Sequence, residues 1–246
     1  MNIPGPVLIL GGKSDIGLAC AHAFAAEGHP VWLAARDAGQ LEAAKTDMAL
    51  RHGVEVETFA FDATDIAAHE GFVDGLPALP SVVICAVGAM GEQLDNERDV
   101  AKAAQVMRAN FEGPATLLGV FANRMEARGS GAIVGISSVA GDRGRATNYI
   151  YGSAKAGFTA FLSGLRNRLA GAGVHVVTVR PGFVNTAMTA GMDLPAKLTA
   201  EPDELGTAVL NAVRKGRNDI YVRRIWWLVM LIIRNIPEMV FKKLSL

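Results

Sequence analysis

Apolar runs recur along the chain, separated by stretches of helical spacing. Val7-Leu8-Ile9-Leu10, Val31-Trp32-Leu33-Ala34-Ala35, Val54 to Phe61, Val82-Val83-Ile84-Cys85, Ala132 to Ile136 and Val174 to Val179 are short and mostly apolar, a pattern that predicts strands. Several carry apolar residues at every position, as parallel strands covered on both faces do. Ile220-Tyr221-Val222 predicts a last strand, and the spacing between strands predicts helices over 16–27, 40–52, 98–128, 149–170 and 202–215. Such alternation implies an α/β fold, a single Rossmann-type doubly wound parallel sheet of about seven strands with right-handed crossovers. With no internal repeat or low-complexity linker, the chain divides into a catalytic unit, 1–222, and a hydrophobic and basic C-terminal extension, 223–246.

Composition narrows the function classes. At 246 residues and 50% hydrophobic the chain has the material for one large core. Lys+Arg and Asp+Glu both number 24, so no global charge draws in nucleic acid. Cys20 and Cys85 lie in apolar surroundings and are expected to be reduced core residues of a cytoplasmic protein. The five histidines form no close ligand pair, and no metal site is expected. The first strand is expected to begin almost at Met1, and on that reading no signal peptide is expected.

Candidate chemistry centres on Tyr151-Gly-Ser-Ala-Lys155. In a helix this spacing puts phenol and amine on one face. A free tyrosine titrates near ~10, and a neighbouring ammonium favours the phenolate, which makes the hydroxyl a usable general acid/base. Ser138 can hold a substrate oxygen, and Asn110 can anchor a water that returns protons to Lys155. The spacing alone is far more often an ordinary helix face, and it is the context that gives it weight. Leu10-Gly11-Gly12-Lys13-Ser14-Asp15-Ile16-Gly17 joins the first strand to the first helix, where glycines let the backbone approach a pyrophosphate. Ser137-Ser138 ends a later apolar run and Arg180-Pro181-Gly182 the next.

Taken together, these motifs resemble the short-chain dehydrogenase/reductase family over roughly residues 5–222. The resemblance implies a nicotinamide-dependent oxidoreductase with the tetrad Asn110, Ser138, Tyr151 and Lys155. It selects Ser138 over Ser137 by its interval to the tyrosine, and Tyr151 over Tyr149, which has no lysine four residues on. Lys155 is expected to serve twice, lowering the Tyr151 pKa and binding the nicotinamide ribose. The glycine turn departs from the family's Thr-Gly-x-x-x-Gly-x-Gly at Leu10 and at Asp15, and Asp15 is expected to turn aside and cap the helix beginning at Ile16. Gly11, Lys13, Ser14, Asp15, Ile16 and Gly17 are cofactor candidates. Arg36, where NAD enzymes usually carry an acid, favours NADP(H) by pairing with a 2′-phosphate, with Lys13 as second cation; NAD(H) stays open because Asp37 is adjacent. Asp62 matches the adenine-contacting acid. Cys85-Ala86-Val87-Gly88 replaces Asn-Asn-Ala-Gly, so backbone at Ala86 and Gly88 must carry that contact. Pro181-Gly182 with Val184 and Thr186 is expected beside the nicotinamide carboxamide.

The extension holds Ile225 to Ile233, nine uncharged apolar residues between Arg223-Arg224 and Arg234. That is far short of the ~20 needed to span a bilayer. Flanking cations and Trp226-Trp227 suit a segment lying in the headgroup region, and a subunit contact in a dimer or tetramer is the rival. Arg234-Asn-Ile-Pro237, then Val240-Phe241-Lys242-Lys243-Leu244, with the acid at the middle-glycine position, resembles one subgroup, the decaprenylphosphoryl-2-keto-erythro-pentose reductases. That resemblance implies a polyprenyl-phosphate-linked keto-sugar substrate and a peripheral place on the inner face of the cell membrane. Arg143 and Arg145 are candidates for a substrate phosphate or are solvated loop cations. The alternatives are a 3-oxoacyl or hydroxysteroid-type ketoreductase and a non-catalytic nucleotide-binding relative.

Overall fold

The structure, a computed structural model, describes residues 4–244. In chain order β1 (Val7–Leu10) leads to α1 (Asp15–Ala25), β2 (Val31–Ala35) to α2 (Glu42–His52) and β3 (Val56–Ala60) to α3 (His69–Asp74). β4 (Val82–Cys85) is followed by α4 (Gln93–Arg98), α5 (Val100–Met107) and α6 (Gly113–Arg128), and β5 (Gly131–Ile136) by α7 (Tyr149–Leu169). β6 (Val174–Pro181) runs into a side ribbon of β7 (Phe183–Val184) and β8 (Thr199–Ala200), then α8 (Pro202–Arg214), β9 (Asp219–Val222), α9 (Ile225–Asn235) and α10 (Glu238–Phe241). Seven strands form one sheet, β3-β2-β1-β4-β5-β6-β9, with every pair parallel.

The period-2 alternation of the strands divides the core. Val7 and Ile9 face one layer with Cys20 and Phe24 of α1 and Leu205 and Val209 of α8. Leu8 and Leu10 face the other, with Phe121 of α6 and Phe158 and Leu162 of α7. Cys20 and Cys85 are buried free thiols, and burial pushes them up to about 12 and about 11, which keeps them inert.

Two expectations are revised, and one pairing is added. The helix over 98–128 is broken, because Asp99 caps α5 and a wide π-type turn, Arg108–Glu112, precedes α6. In an unbroken α-helix the Asn110 carbonyl would accept from residue 114, and Pro114 has no N–H to give. Ser14, not Asp15, caps α1, accepting from the Gly17 N–H at 3.0 Å. The loop after β6 is tied down by β7 and β8, whose pairing was invisible in two-residue strands. No helix among the described residues is long and apolar enough to cross a membrane.

Candidate active site

Strand order reverses between β1 and β4, so the crossovers leave in opposite directions and a crevice opens beyond the strand ends. The glycine turn stands at its edge. Gly11 has φ +85°, and a Cβ there would lie 3.0 Å from the Ala86 carbonyl. One at Gly17 would lie 2.4 Å from the Gly11 oxygen. The turn therefore packs backbone on backbone at the start of α1, a cradle that fits a pyrophosphate. The Asp15 carboxylate does turn aside, but to another partner: it accepts from the Ala187 N–H at 2.8 Å and so pins the segment after β7 to the start of α1.

The remaining cofactor candidates cluster at strand ends. Arg36 follows β2 and is exposed, while Asp37 is engaged by the Gly39 N–H at 3.0 Å and the Gln40 amide at 2.8 Å. Lys13 donates to the same Gln40. Asp62 follows β3; hydrogen bonds from Thr64, with Arg36 nearby, hold its carboxyl below the usual range. Ile16, Ala86, Gly88, Pro181, Gly182, Val184 and Thr186 all line one cavity of about 920 Å³.

Asn110, Ser138, Tyr151 and Lys155 line that same cavity. Both serines line the cavity, but the Ser137 hydroxyl is occupied, donating to the Lys155 carbonyl at 3.0 Å and bonding Thr159, while the Ser138 hydroxyl accepts from the Ala140 N–H. Tyr149 is exposed at the start of α7. Asn110 is buried in the π-type turn; its amide donates to the Val106 and Ala89 carbonyls, and its Oδ1 has no partner among the described residues. A Cβ at Gly88 would sit 2.8 Å from that Oδ1 and 3.6 Å from Lys155 Nζ, so Gly88 is where these two groups meet.

The electrostatics depart from the expectation for Tyr151. Burial pushes the phenol up to about 12, with the Ser138 hydroxyl pulling the other way. Lys155 lies 5.7 Å from the Tyr151 ring centroid and donates to the Ile136 carbonyl at 2.9 Å. Burial brings its own pKa down to about 8. In this arrangement desolvation outweighs attraction for both groups.

The tail folds back on the cavity. Trp226 lies flat against Gly182, where a Cβ would come within 2.0 Å of the indole, and its Nε1 donates to the Leu198 carbonyl at 2.9 Å. With Leu244 it lines the cavity, a contribution hidden in the sequence because the glycine that admits the ring lies 44 positions earlier. Arg143 is neither a phosphate site nor a solvated cation. It donates to the Ile233 and Ile236 carbonyls at 2.7 and 2.6 Å, pairs with Glu238 and covers the Phe241 ring at 3.6 Å. Beneath it Asp142 accepts from Arg180 at 2.6 Å and from the Tyr221 hydroxyl at 2.7 Å, joining the loop after β5 to β6 and β9. No motif pointed to that cluster.

Comparison with known proteins agrees with this geometry. The family described as short chain dehydrogenase matches residues 6–195. An uncharacterized oxidoreductase of Mycobacterium tuberculosis is 37% identical over 242 residues, 97% of this chain and 96% of that protein. Among solved structures, a short-chain dehydrogenase from Sphingobium yanoikuyae in complex with NADPH superposes with a TM-score of 0.80 at 27% identity, covering 95% of this chain and 97% of that one. A 3-oxoacyl-[acyl-carrier protein] reductase from Brucella melitensis in complex with NAD gives 0.78 at 25%, covering 90% and 96%. A family match over more than three quarters of the chain, with relatives and solved structures alike along nearly its whole length, places the chain in the short-chain dehydrogenase/reductase family as an NAD(P)-dependent oxidoreductase acting on alcohol or ketone groups.

Proposed function

We propose that this oxidoreductase is an NADPH-dependent carbonyl reductase whose substrate is a keto-sugar carried on a polyprenyl phosphate at a membrane surface. The observation that carries the reading is the continuity of the tail with the cavity. Trp226 and Met230, four residues apart, bury one face of α9, and Trp226 walls the cavity. The opposite face exposes Ile225, Leu228 and Ile232, with Trp227 beside them and Arg224, Arg234, Lys242 and Lys243 also exposed. An apolar face rimmed by cations suits an anionic lipid surface, and it is carried by the same helix whose buried face walls the cavity.

Within the cavity each side chain has a part. Tyr151, held protonated by burial, donates its hydroxyl proton to the carbonyl oxygen as that oxygen gains charge. Ser138 orients the oxygen. Lys155 holds the ribose end of the cofactor and, as ammonium, returns a proton toward Tyr151, with Asn110 keeping that end of the relay in register. The bound nicotinamide supplies the hydride. The turn from Gly11 to Gly17 receives the pyrophosphate, Asp62 the adenine, and Pro181 to Thr186 the carboxamide. Preference for NADPH is supported by Arg36, whose acidic neighbour Asp37 is occupied by Gly39 and Gln40. The Sphingobium neighbour is an NADPH complex, in keeping with that choice.

The test compares NADPH oxidation with a keto-pentose on polyprenyl phosphate in anionic vesicles against the same keto-pentose phosphate free in water. A strong preference for the vesicle-borne substrate is expected. Equal kcat/KM for the two sinks the lipid part of the reading, and a better rate with a 3-oxoacyl thioester or a steroid ketone replaces it.

A further inference from the structure

Arg145 lies in the segment that joins Ser138 to Tyr151, the two groups between which the reacting carbonyl must sit. It is half-buried and lines the cavity, and its Nε is shut off from solvent with no partner among the described residues. Three residues on, Asn148 shares both properties: it lines the cavity, and its Oδ1 is buried without a partner. The acid nearest in sequence, Asp142, is already held by Arg180 and Tyr221 and reaches Arg145 through space alone. A guanidinium left half-desolvated without a counter-ion costs stability unless a ligand completes it. Burial lowers its pKa, in keeping with that cost. The neighbouring Arg143 is spent on the tail, so the two arginines have separate tasks.

We propose that Arg145 is the anion-recognition residue of the substrate cavity, clamping a phosphate or carboxylate of the ketone substrate, with Asn148 accepting from a hydroxyl beside it. A guanidinium presents a planar fork of donors that matches either oxyanion, and Arg145 lines the same cavity as Ser138 and Tyr151. The glycine turn, at the end of β1, is left to the pyrophosphate of the cofactor. The inference rests on the carbonyl-reductase reading and narrows its substrate class to anionic ketones.

The full-length enzyme, saturated with NADPH, is assayed with dihydroxyacetone, dihydroxyacetone phosphate and acetoacetate. The wild type is expected to show a KM for an anionic ketone at least about tenfold below that for dihydroxyacetone, as a charge-assisted hydrogen bond implies. Arg145→Gln should raise that KM about tenfold to a hundredfold, leaving kcat and the neutral ketone nearly unchanged, with partial rescue in Arg145→Lys. Whether the phosphate or the carboxylate ketone shows the effect identifies the anion. Equal losses for charged and neutral ketones, or no charge preference in the wild type, overturn the proposal. If the wild type reduces none of the three, the carbonyl-reductase reading falls by itself. Titration of inorganic phosphate into the NADPH complex then decides Arg145: weaker binding in Arg145→Gln supports the clamp, and equal binding removes it.

Discussion

Burial sets opposite tasks for Tyr151 and Lys155. Because burial holds the phenol up to about 12, Tyr151 keeps its proton across the working range. Lys155, brought down to about 8, is an ammonium below that pH and a neutral amine above it. The reductive kcat/KM, which reports the free enzyme, should therefore fall as pH rises through about 8, with Lys155 as the group that titrates. A profile flat to well above that point would contradict this assignment. Tyr151→Phe should bind NADPH normally yet retain less than about a tenth of the rate, since positioned proton transfer contributes roughly 10²–10⁴-fold. At the rim, Arg36→Ala should weaken NADPH about tenfold to a hundredfold while leaving NADH nearly unchanged. Parallel losses for both cofactors in a fluorescence titration would make Arg36 structural.

At the scale of elements, the polar part of the junction between the loop after β5 and the tail is made by Arg143, beside the apolar contact of Val139 with Trp226 and Met230. The last carbonyls of α9 lack helical partners, and Arg143 supplies donors to Ile233 and Ile236 while stacking on Phe241 of α10. Arg143→Ala should loosen α9 and α10 without unfolding the sheet. Hydrogen exchange over 225–241 is expected to rise, with protection of β1 and β4 unchanged. If exchange stays the same throughout, the clamp is incidental. The break between α5 and α6 has a similar local cause: Pro114 leaves the Asn110 carbonyl without its helical donor, so the turn widens where Asn110 must reach Gly88.

For the whole molecule, cutting before Arg223 to separate membrane contact from chemistry is unsuitable, since Trp226 is a wall of the cavity and rests on Gly182. Substitution on the exposed face keeps that wall. Leu228 and Ile232 are 51% and 59% exposed, one turn apart, and face away from Trp226, which is 4% exposed. Leu228→Ser with Ile232→Ser should abolish co-sedimentation with anionic vesicles, because each removes apolar area with a transfer value of about 25 cal/mol per Å². Reduction of a short water-borne ketone should persist. Unchanged sedimentation, or a fall in oligomer size by light scattering instead, would assign the face to a subunit contact.

The sequence alone determined the alternating strands and helices, the parallel sheet and the placing of Gly11, Ser138, Tyr151, Lys155 and Pro181 near strand ends or on the following helix. These follow from periods of 2 and 3.6 and from local turn chemistry, which neighbouring residues specify. It could not show that Ser14 takes the cap and frees Asp15 for Ala187, 172 positions away. Nor could it show that Arg143 is spent on the tail while Arg145, which lines the cavity, keeps a buried Nε without a partner among the described residues. Both arginines sit in the same loop with the same chemistry, and only packing decides which finds an acceptor. The balance at Tyr151 was tertiary too: the i,i+4 spacing brings a cation near, but the sheet and helices around the pair remove the water, and in this geometry desolvation is the larger effect.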